Sequence, residues 1–312
     1  MNSESSAIGR PVRVVSIGFR VGKSLSEVAD LVNREGEQGA DLIALPEVFM
    51  DQRDDALDRL DGKTVRTMSA LAARHRTYVV CPIDRWDGKR RFNSNVLLDR
   101  KGEIACIYDK VFPYWSEFDH KPPVSPGEDA PVHAADFGRV GMATCFDANF
   151  PEVWKRLANQ DAELVIFSSA YSAGATLLAP ALTHHYYIVS STRCPDCVVC
   201  DITGEPILYR KDDNVNITRV TLDLDRGIYH QNFNTEKRDR LLKEHPEDVM
   251  METWFRREEW FVLKAKRPGV SARGLARQYG MEELRDYQNR SRRQIDRMRG
   301  WSFRARTIEG EP

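Results

Sequence analysis

Cys145 has the surroundings in this sequence that best suit a nucleophile. Residues 140 to 144 form a short apolar run that predicts a buried strand, and residues 150 to 154 begin a helical pattern with Pro151 in its first turn. A thiol between a strand end and a helix start lies near unpaired N–H groups and the positive end of the helix dipole, so we expect a lowered pKa and a reactive thiolate. Because most free cysteines are simply small buried residues, this interpretation depends on partners.

Two other apolar runs end at charged residues that could assist such a nucleophile. Residues 41 to 45 lead through Pro46 to Glu47, a candidate general base. Residues 103 to 108 lead to Lys110, whose charge could stabilise a thiolate and the oxyanion of a tetrahedral intermediate. Glu and Lys at strand ends are usually solvated rim residues. The joint occurrence of all three groups nevertheless predicts an active site.

This order of residues resembles the carbon–nitrogen hydrolase (nitrilase) superfamily, whose members carry a Glu, Lys, Cys triad. The resemblance covers roughly residues 11 to 230 and rests on three segments: Leu45-Pro46-Glu47, Tyr108-Asp109-Lys110-Val111-Phe112-Pro113 and Gly141-Met142-Ala143-Thr144-Cys145-Phe146-Asp147. It implies an α/β fold, a four-layer α-β-β-α sandwich, with Glu47, Lys110 and Cys145 as the catalytic triad. It also implies that Glu117 positions the triad and the substrate.

The reaction expected from this resemblance is thiol-dependent hydrolysis of a small linear amide to a carboxylic acid and ammonia or an amine. It proceeds through a thioacyl intermediate on the cysteine and needs no metal or organic cofactor. Phe146 and Asp147 resemble amidase branches, whereas nitrile-acting relatives usually carry Trp-Glu there. Carbamoyl-amino-acid hydrolases often carry an arginine where this chain has Ala148 and Asn149. An N-carbamoyl compound and a nitrile stay as alternative substrates, and acyl transfer to an amine stays open.

A long loop over residues 112 to 129 carries Glu117 and is rich in proline, aromatic and charged residues. A loop of this length in a compact domain is usually functional. The residues predicted to contact a small-molecule substrate come from this loop and from the chain that follows the nucleophile strand: Trp115, Phe146, Asn149 and Tyr171.

The composition is that of a globular protein, which we expect to be located in the cytoplasm. Hydrophobic residues make up 41% of the 312 residues and charged residues 30%, with a formal net charge of −1. We expect no membrane segment and no signal peptide, because no apolar run is long enough. Six cysteines in a chain of this length do not indicate a disulfide framework. The CxxC at Cys194 and Cys197 has no second cysteine pair, so we predict no metal site.

Alternating strand and helix patterns predict an α/β domain over residues 1 to 240 and a helical C-terminal extension over residues 241 to 312. The resemblance implies that the first is the carbon–nitrogen hydrolase domain. Two helices are expected in the extension, at residues 271 to 279 and 282 to 298. Residues 251 to 312 contain 15 Lys plus Arg against 9 Asp plus Glu. The resemblance suggests contacts of the extension in a homodimer or higher homo-oligomer. We expect no nucleic-acid binding, because acidic residues are interleaved with the basic ones. A non-catalytic binding protein that uses this basic tail is the alternative of another class.

Overall fold

The first of two large sheets has six strands. The computed structural model describes residues 7 to 50, 53 to 55 and 57 to 300. The strands of this sheet are β1 (Pro11–Phe19), β2 (Leu42–Ala44), β3 (Tyr78–Trp86), β4 (Arg91–Leu98), β5 (Ile104–Asp109) and β12 (Val215–Asp223). Their order is β12-β1-β2-β3-β4-β5. β1, β2 and β3 pair in parallel, whereas β4 and β5 continue as an antiparallel hairpin.

The second large sheet also has six strands and repeats this arrangement. Its strands are β6 (Val132–Ala135), β7 (Gly138–Thr144), β8 (Leu164–Ser169), β9 (Tyr187–Thr192), β10 (Asp196–Cys200) and β11 (Pro206–Lys211). Their order is β11-β10-β9-β8-β7-β6, with parallel pairing only among β7, β8 and β9. The ends of the parallel strands therefore meet at one edge of each sheet, where the predicted catalytic residues follow.

Helices cover the outer face of each sheet. The first pair, on the first sheet, is α1 (Leu25–Glu37) and α2 (Lys63–His75), and the second pair is α3 (Pro151–Asn159) and α4 (Leu178–His184). α1 begins at a capping box between Ser24 and Glu27, and α3 begins with Pro151 in its first turn, as expected. The apolar face of α1, with Val28 and Val32, packs into the core of the first sheet.

The inner faces of the two sheets meet through small polar residues. The Ser16 hydroxyl donates to the Ser190 carbonyl at 2.6 Å, and the Ser191 hydroxyl donates to the Ile17 carbonyl at 3.0 Å. A side chain at Gly18 would place its Cβ 2.9 Å from the Thr192 carbonyl oxygen, so glycine allows this close approach. These contacts complete the four layers and confirm the predicted α-β-β-α sandwich.

Residues 221 to 300 form a second compact unit together with residues 7 to 12, while residues 13 to 220 form the first. The second unit contains a three-stranded antiparallel sheet of order β13-β15-β14. Its elements are β13 (Gly227–His230), α5 (Thr235–Glu244), β14 (Val249–Phe255), β15 (Trp260–Ala265), α6 (Ala272–Gln278) and α7 (Leu284–Met298). This unit begins before the predicted boundary at residue 240.

The C-terminal extension is not purely helical, which corrects the prediction. α6 and α7 form where two helices were expected, but β14 and β15 precede them. The aromatic residues Trp254, Phe255, Trp260 and Phe261 lie in these strands, and the four charged residues 256 to 259 form the turn between them. Phe261 and Leu263 of β15 are fully buried in the core of this unit. A contact role in an oligomer stays a prediction.

None of the helices in the described residues has the length and apolar character required to cross a membrane.

Candidate active site

Glu47 follows β2 and is almost completely buried. The strand ends at Ala44 because Pro46 has no N–H to continue the ladder. Val48, directly after Glu47, has a φ of +37°, which is a genuine outlier for a β-branched residue. Backbone strain of this kind persists only where surrounding contacts hold it, and it is concentrated at functional sites.

Lys110 and Asn93 together hold two carboxylates in a closed ring of hydrogen bonds. Lys110 follows β5, and its Nζ donates to Glu47 Oε1 at 2.9 Å and to Glu117 Oε2 at 2.6 Å. Asn93 of β4 donates from Nδ2 to the same Glu47 Oε1 at 2.7 Å and to Glu117 Oε1 at 2.8 Å. Glu47 Oε2 is buried and has no hydrogen-bond partner within the described chain. One oxygen of Glu47 is thus fixed and the other is open.

The charges in this ring stabilise one another. Burial alone would raise the pKa of Glu47, but the positive charges of Lys110 and Arg193 and the hydrogen bonds from Lys110 and Asn93 outweigh it and lower the pKa. Burial would lower the pKa of Lys110, but Glu47, Cys145 and Glu117 raise it above the usual range. Glu47 is therefore a carboxylate and Lys110 an ammonium at neutral pH.

Cys145 forms a sharp turn at the end of β7. Its φ is +47°, between the strand and a short 3₁₀ helix over Cys145–Asn149. Burial, and next the negative charge of Glu47, raise the pKa of Cys145 to about 12, although Lys110 and hydrogen bonds from Ala170 and Ser169 act in the opposite direction. The expected lowering of this pKa by a helix start is therefore wrong, because burial and a carboxylate outweigh the nearby donors. The free protein holds a neutral thiol beside an ionised base.

Asp147 connects the nucleophile turn to the segment that follows Lys110. Its Oδ2 accepts from the Thr144 backbone N–H at 2.9 Å and from the Tyr108 hydroxyl at 2.5 Å, and its Oδ1 accepts from the Phe112 backbone N–H at 2.9 Å. Complete burial raises the pKa of Asp147 to about 7 against the effect of these donors and of Lys110. The carboxyl group thus fixes the position of Cys145 relative to the lysine segment.

The four predicted substrate contacts differ in their interactions around this centre. Tyr171 interacts electrostatically with Cys145, and its side chain hydrogen-bonds Asn149, which is exposed. Phe146 packs edge-on against Tyr114 with ring centroids 5.2 Å apart. Trp115 is 64% exposed and packs against Tyr114 with ring centroids 5.6 Å apart. Their contact with substrate stays a prediction.

The CxxC segment is not part of a metal-binding cluster among the residues that the structure describes. Cys197 is buried on β10, and the Cys194 thiol donates to the Ala170 carbonyl at 3.3 Å. In the residues that the structure describes, no group of three His, Cys, Asp or Glu side chains is placed to hold a metal ion.

Three residues that hold the catalytic groups in place had no role predicted from the sequence: Asn93, Asp147 and Arg193. A signal for Asn93 was present in the sequence, since Asn93, Ser94 and Asn95 are consecutive polar residues between Phe92 and the apolar run of residues 96 to 98. A polar side chain that such a segment buries needs a hydrogen-bond partner. Arg193 donates to the carbonyls of Glu47 and Val48, which no local pattern predicts.

Comparison with known proteins agrees with this geometry. The family model for carbon-nitrogen hydrolases matches residues 18 to 227, about two thirds of the chain. The chain belongs to the carbon-nitrogen hydrolase family. The match includes Glu47, Lys110, Glu117 and Cys145 and ends near the start of the second compact unit.

Individual relatives of this family member are distant. A protein of Pseudomonas protegens named "Hydrolase in pqqF 5'region" is 28% identical over 170 residues, covering 50% of this chain and 59% of that protein. A deaminated glutathione amidase of Synechocystis sp. is 25% identical over 169 residues, covering 48% of this chain and 62% of that protein. The chain thus spans about 60% of the length of these curated relatives.

Solved structures show the same fold. An amidase from Nesterenkonia sp. superposes with a TM-score of 0.62 at 21% identity, covering 71% of this chain and 94% of that protein. A Saccharomyces cerevisiae member of branch 10 of the nitrilase superfamily has a TM-score of 0.61 at 18% identity, covering 75% and 97% of the two chains. The nitrilase-type sandwich is therefore shared at low sequence identity.

Proposed function

We propose that this protein is an amidase that hydrolyses the C–N bond of a small linear amide to a carboxylic acid and ammonia or an amine. The observation that carries the proposal is the asymmetry of Glu47: both Lys110 and Asn93 donate to Oε1, and Oε2 is left open in a buried site beside Cys145. A carboxylate with one fixed and one open oxygen suits a general base. Family membership and amidases among the similar proteins support the same reaction.

Acylation follows from the protonation states of the free protein. Glu47 Oε2 accepts the thiol proton as the Cys145 sulfur attacks the amide carbon, because the thiol is neutral beforehand. Lys110 has three N–H donors, of which Glu47 and Glu117 take two. The third can stabilise the oxyanion together with the backbone N–H of Phe146. Glu47 then gives its proton to the leaving nitrogen, the C–N bond breaks, and a thioacyl enzyme remains.

Deacylation uses the Glu47 carboxylate again, first as a base and then as an acid. Glu47 accepts a proton from a water molecule that attacks the thioester carbon, and Lys110 again stabilises the oxyanion. The C–S bond breaks, and the proton on Glu47 returns to the Cys145 sulfur. Glu117 contributes by holding Lys110 through its Oε2, which also accepts from the Tyr114 backbone N–H at 2.6 Å.

Neutral substrates fit the surroundings of the nucleophile best. Phe146 packs against Tyr114 and Phe150, each with ring centroids 5.2 Å apart, so an aromatic wall extends from the residue next to Cys145. Ala148 and Asn149 follow and provide no cation for a substrate carboxylate. We therefore propose an uncharged acyl group, with N-carbamoyl compounds and nitriles as the competing classes.

Intact-protein mass spectrometry tests this proposal directly. The wild-type protein is incubated with a panel of small amides, carbamoyl compounds and nitriles and is quenched in acid during turnover. A thioacyl adduct on Cys145 should be trapped, and its added mass identifies the acyl group. Cys145→Ala should show no adduct because it lacks the nucleophile, and Glu47→Gln should show far less than the wild type because acylation lacks its base. An adduct or turnover that persists in Cys145→Ala contradicts the mechanism.

A further inference from the structure

We infer that Arg193 is a positioning residue for the general base Glu47, acting on its backbone rather than on the substrate. The inference rests on the proposed function, in which Glu47 moves every proton. Arg193 directly follows β9 of the second sheet, whereas Glu47 follows β2 of the first. A side chain of one sheet thus holds the catalytic segment of the other.

The contacts of the guanidinium are with main-chain oxygens. Arg193 Nε donates to the Glu47 carbonyl at 2.5 Å, and Nη2 donates to the Val48 carbonyl at 2.7 Å. The backbone N–H of Arg193 donates to the Ser169 carbonyl at 2.9 Å, which continues the pairing of β9 with β8. The backbone of Arg193 is therefore held by a regular strand pairing, and its guanidinium is bonded to two consecutive carbonyls.

The segment that Arg193 holds needs such support. Val48 has its φ at +37°, a conformation that costs a β-branched residue free energy and that an unsupported chain would leave. A planar guanidinium has N–H donors in a rigid fork, so it can bond two adjacent carbonyls at once. A relaxed Val48 would rotate the peptide that joins it to Glu47 and redirect Oε2 away from the Cys145 sulfur.

Arg193 also acts through its charge. In the described part of the chain, no carboxylate forms a salt bridge with its guanidinium, although it is half-buried. Its charge is one of the interactions that lower the pKa of Glu47 despite burial, after that of Lys110. Arg193 therefore has two separable effects, one on the orientation of Glu47 and one on its ionisation.

Two substitutions separate these effects. Arg193→Lys keeps the positive charge but replaces the fork with a single ammonium, whereas Arg193→Gln removes the charge as well. Because a misplacement of about 1 Å can lower a rate roughly 100-fold, we expect kcat to fall by up to that factor in both variants with little change in KM. The low-pH limb of kcat/KM should move to higher pH in Arg193→Gln only, because only this change raises the pKa of Glu47.

The matched control is Arg139→Gln. Arg139 also donates from Nε to a backbone carbonyl, that of Gln160, at 2.9 Å, but it lies near the start of β7, at the opposite end from Cys145. This variant should keep kcat and the pH profile of the wild type. Equal losses in Arg139→Gln and the Arg193 variants would overturn the inference, since the effect would then be general destabilisation.

A readout independent of turnover distinguishes failure of this inference from failure of the proposed function. Hydrogen–deuterium exchange of peptides covering residues 45 to 50 should be faster in both Arg193 variants than in the wild type and in Arg139→Gln. If the wild type hydrolyses no compound yet exchange increases, the proposed function fails and the positioning role stands. Unchanged exchange together with unchanged kcat in the Arg193 variants overturns the positioning role.

Discussion

Replacing Asn93 by alanine tests whether the ring of hydrogen bonds determines which oxygen of Glu47 acts as the base. The change removes the donor to Glu47 Oε1 at 2.7 Å and the donor to Glu117 Oε1 at 2.8 Å while leaving Lys110 in place. Glu47 can then rotate to offer either oxygen to Lys110. Its pKa also rises, because the hydrogen bond from Asn93 is one of the interactions that lower it.

The expected magnitude follows from the type of bond that is lost. A hydrogen bond to a charged group contributes about 1.5 to 3 kcal/mol. If about 2 kcal/mol of this is lost in the transition state, kcat falls roughly 30-fold. The low-pH limb of kcat/KM should also move to higher pH, because a larger fraction of Glu47 is protonated at a given acidic pH. KM should change little, since Asn93 is buried behind the carboxylates.

Steady-state kinetics as a function of pH, with thermal unfolding measured in parallel, provide the assay. The matched control is Asn216→Ala, because Asn216 is equally buried but lies on β12, four strands away from β4 in the same sheet. This control should lose stability without a shift in the pH profile. Wild-type kcat and pH profile in Asn93→Ala would refute the reasoning, as would the same pH shift in both variants.

Three further predictions concern ionisation and assembly. The pKa of Asp147, raised to about 7 by burial, lies above its ordinary 3.8, so its contribution to stability is largest below about pH 4 and declines by roughly 4 kcal/mol as pH rises to about 7. In Asp147→Asn, urea unfolding should lack this decline, and an unchanged pH dependence contradicts the assignment. Glu47→Gln should lower the pKa of Cys145, because it removes the negative charge that, after burial, raises this pKa most. Alkylation by iodoacetamide should therefore reach its half-maximal rate at a lower pH than in the wild type. A midpoint at the same or a higher pH contradicts this prediction. For the predicted homo-oligomer, Ile295→Glu on an exposed position of α7 should reduce the mass measured by light scattering, and an unchanged mass argues against a contact there.

Local pattern was sufficient for the elements that begin and end with strong signals. α3 spans Pro151–Asn159, as the proline and the apolar spacing predict. β2 is shorter than the predicted strand because Pro46 ends its ladder early. α4 starts at Leu178, directly after a 3₁₀ turn over Gly174–Leu177. No strand was predicted at β14 and β15, where the four charged residues 256 to 259 interrupt the apolar and aromatic residues.

The order of Glu47, Lys110 and Cys145 and their places after three strands can be read from the sequence, because a strand end is a local property of apolar runs and proline. The interactions among these residues depend on the tertiary structure. Asn93 lies 46 residues from Glu47 and Arg193 lies 146 residues from it, so no local pattern could assign their hydrogen bonds. The pKa of Cys145 likewise depends on burial and on the charge of a distant carboxylate, which overrode the expectation drawn from its neighbours in the chain.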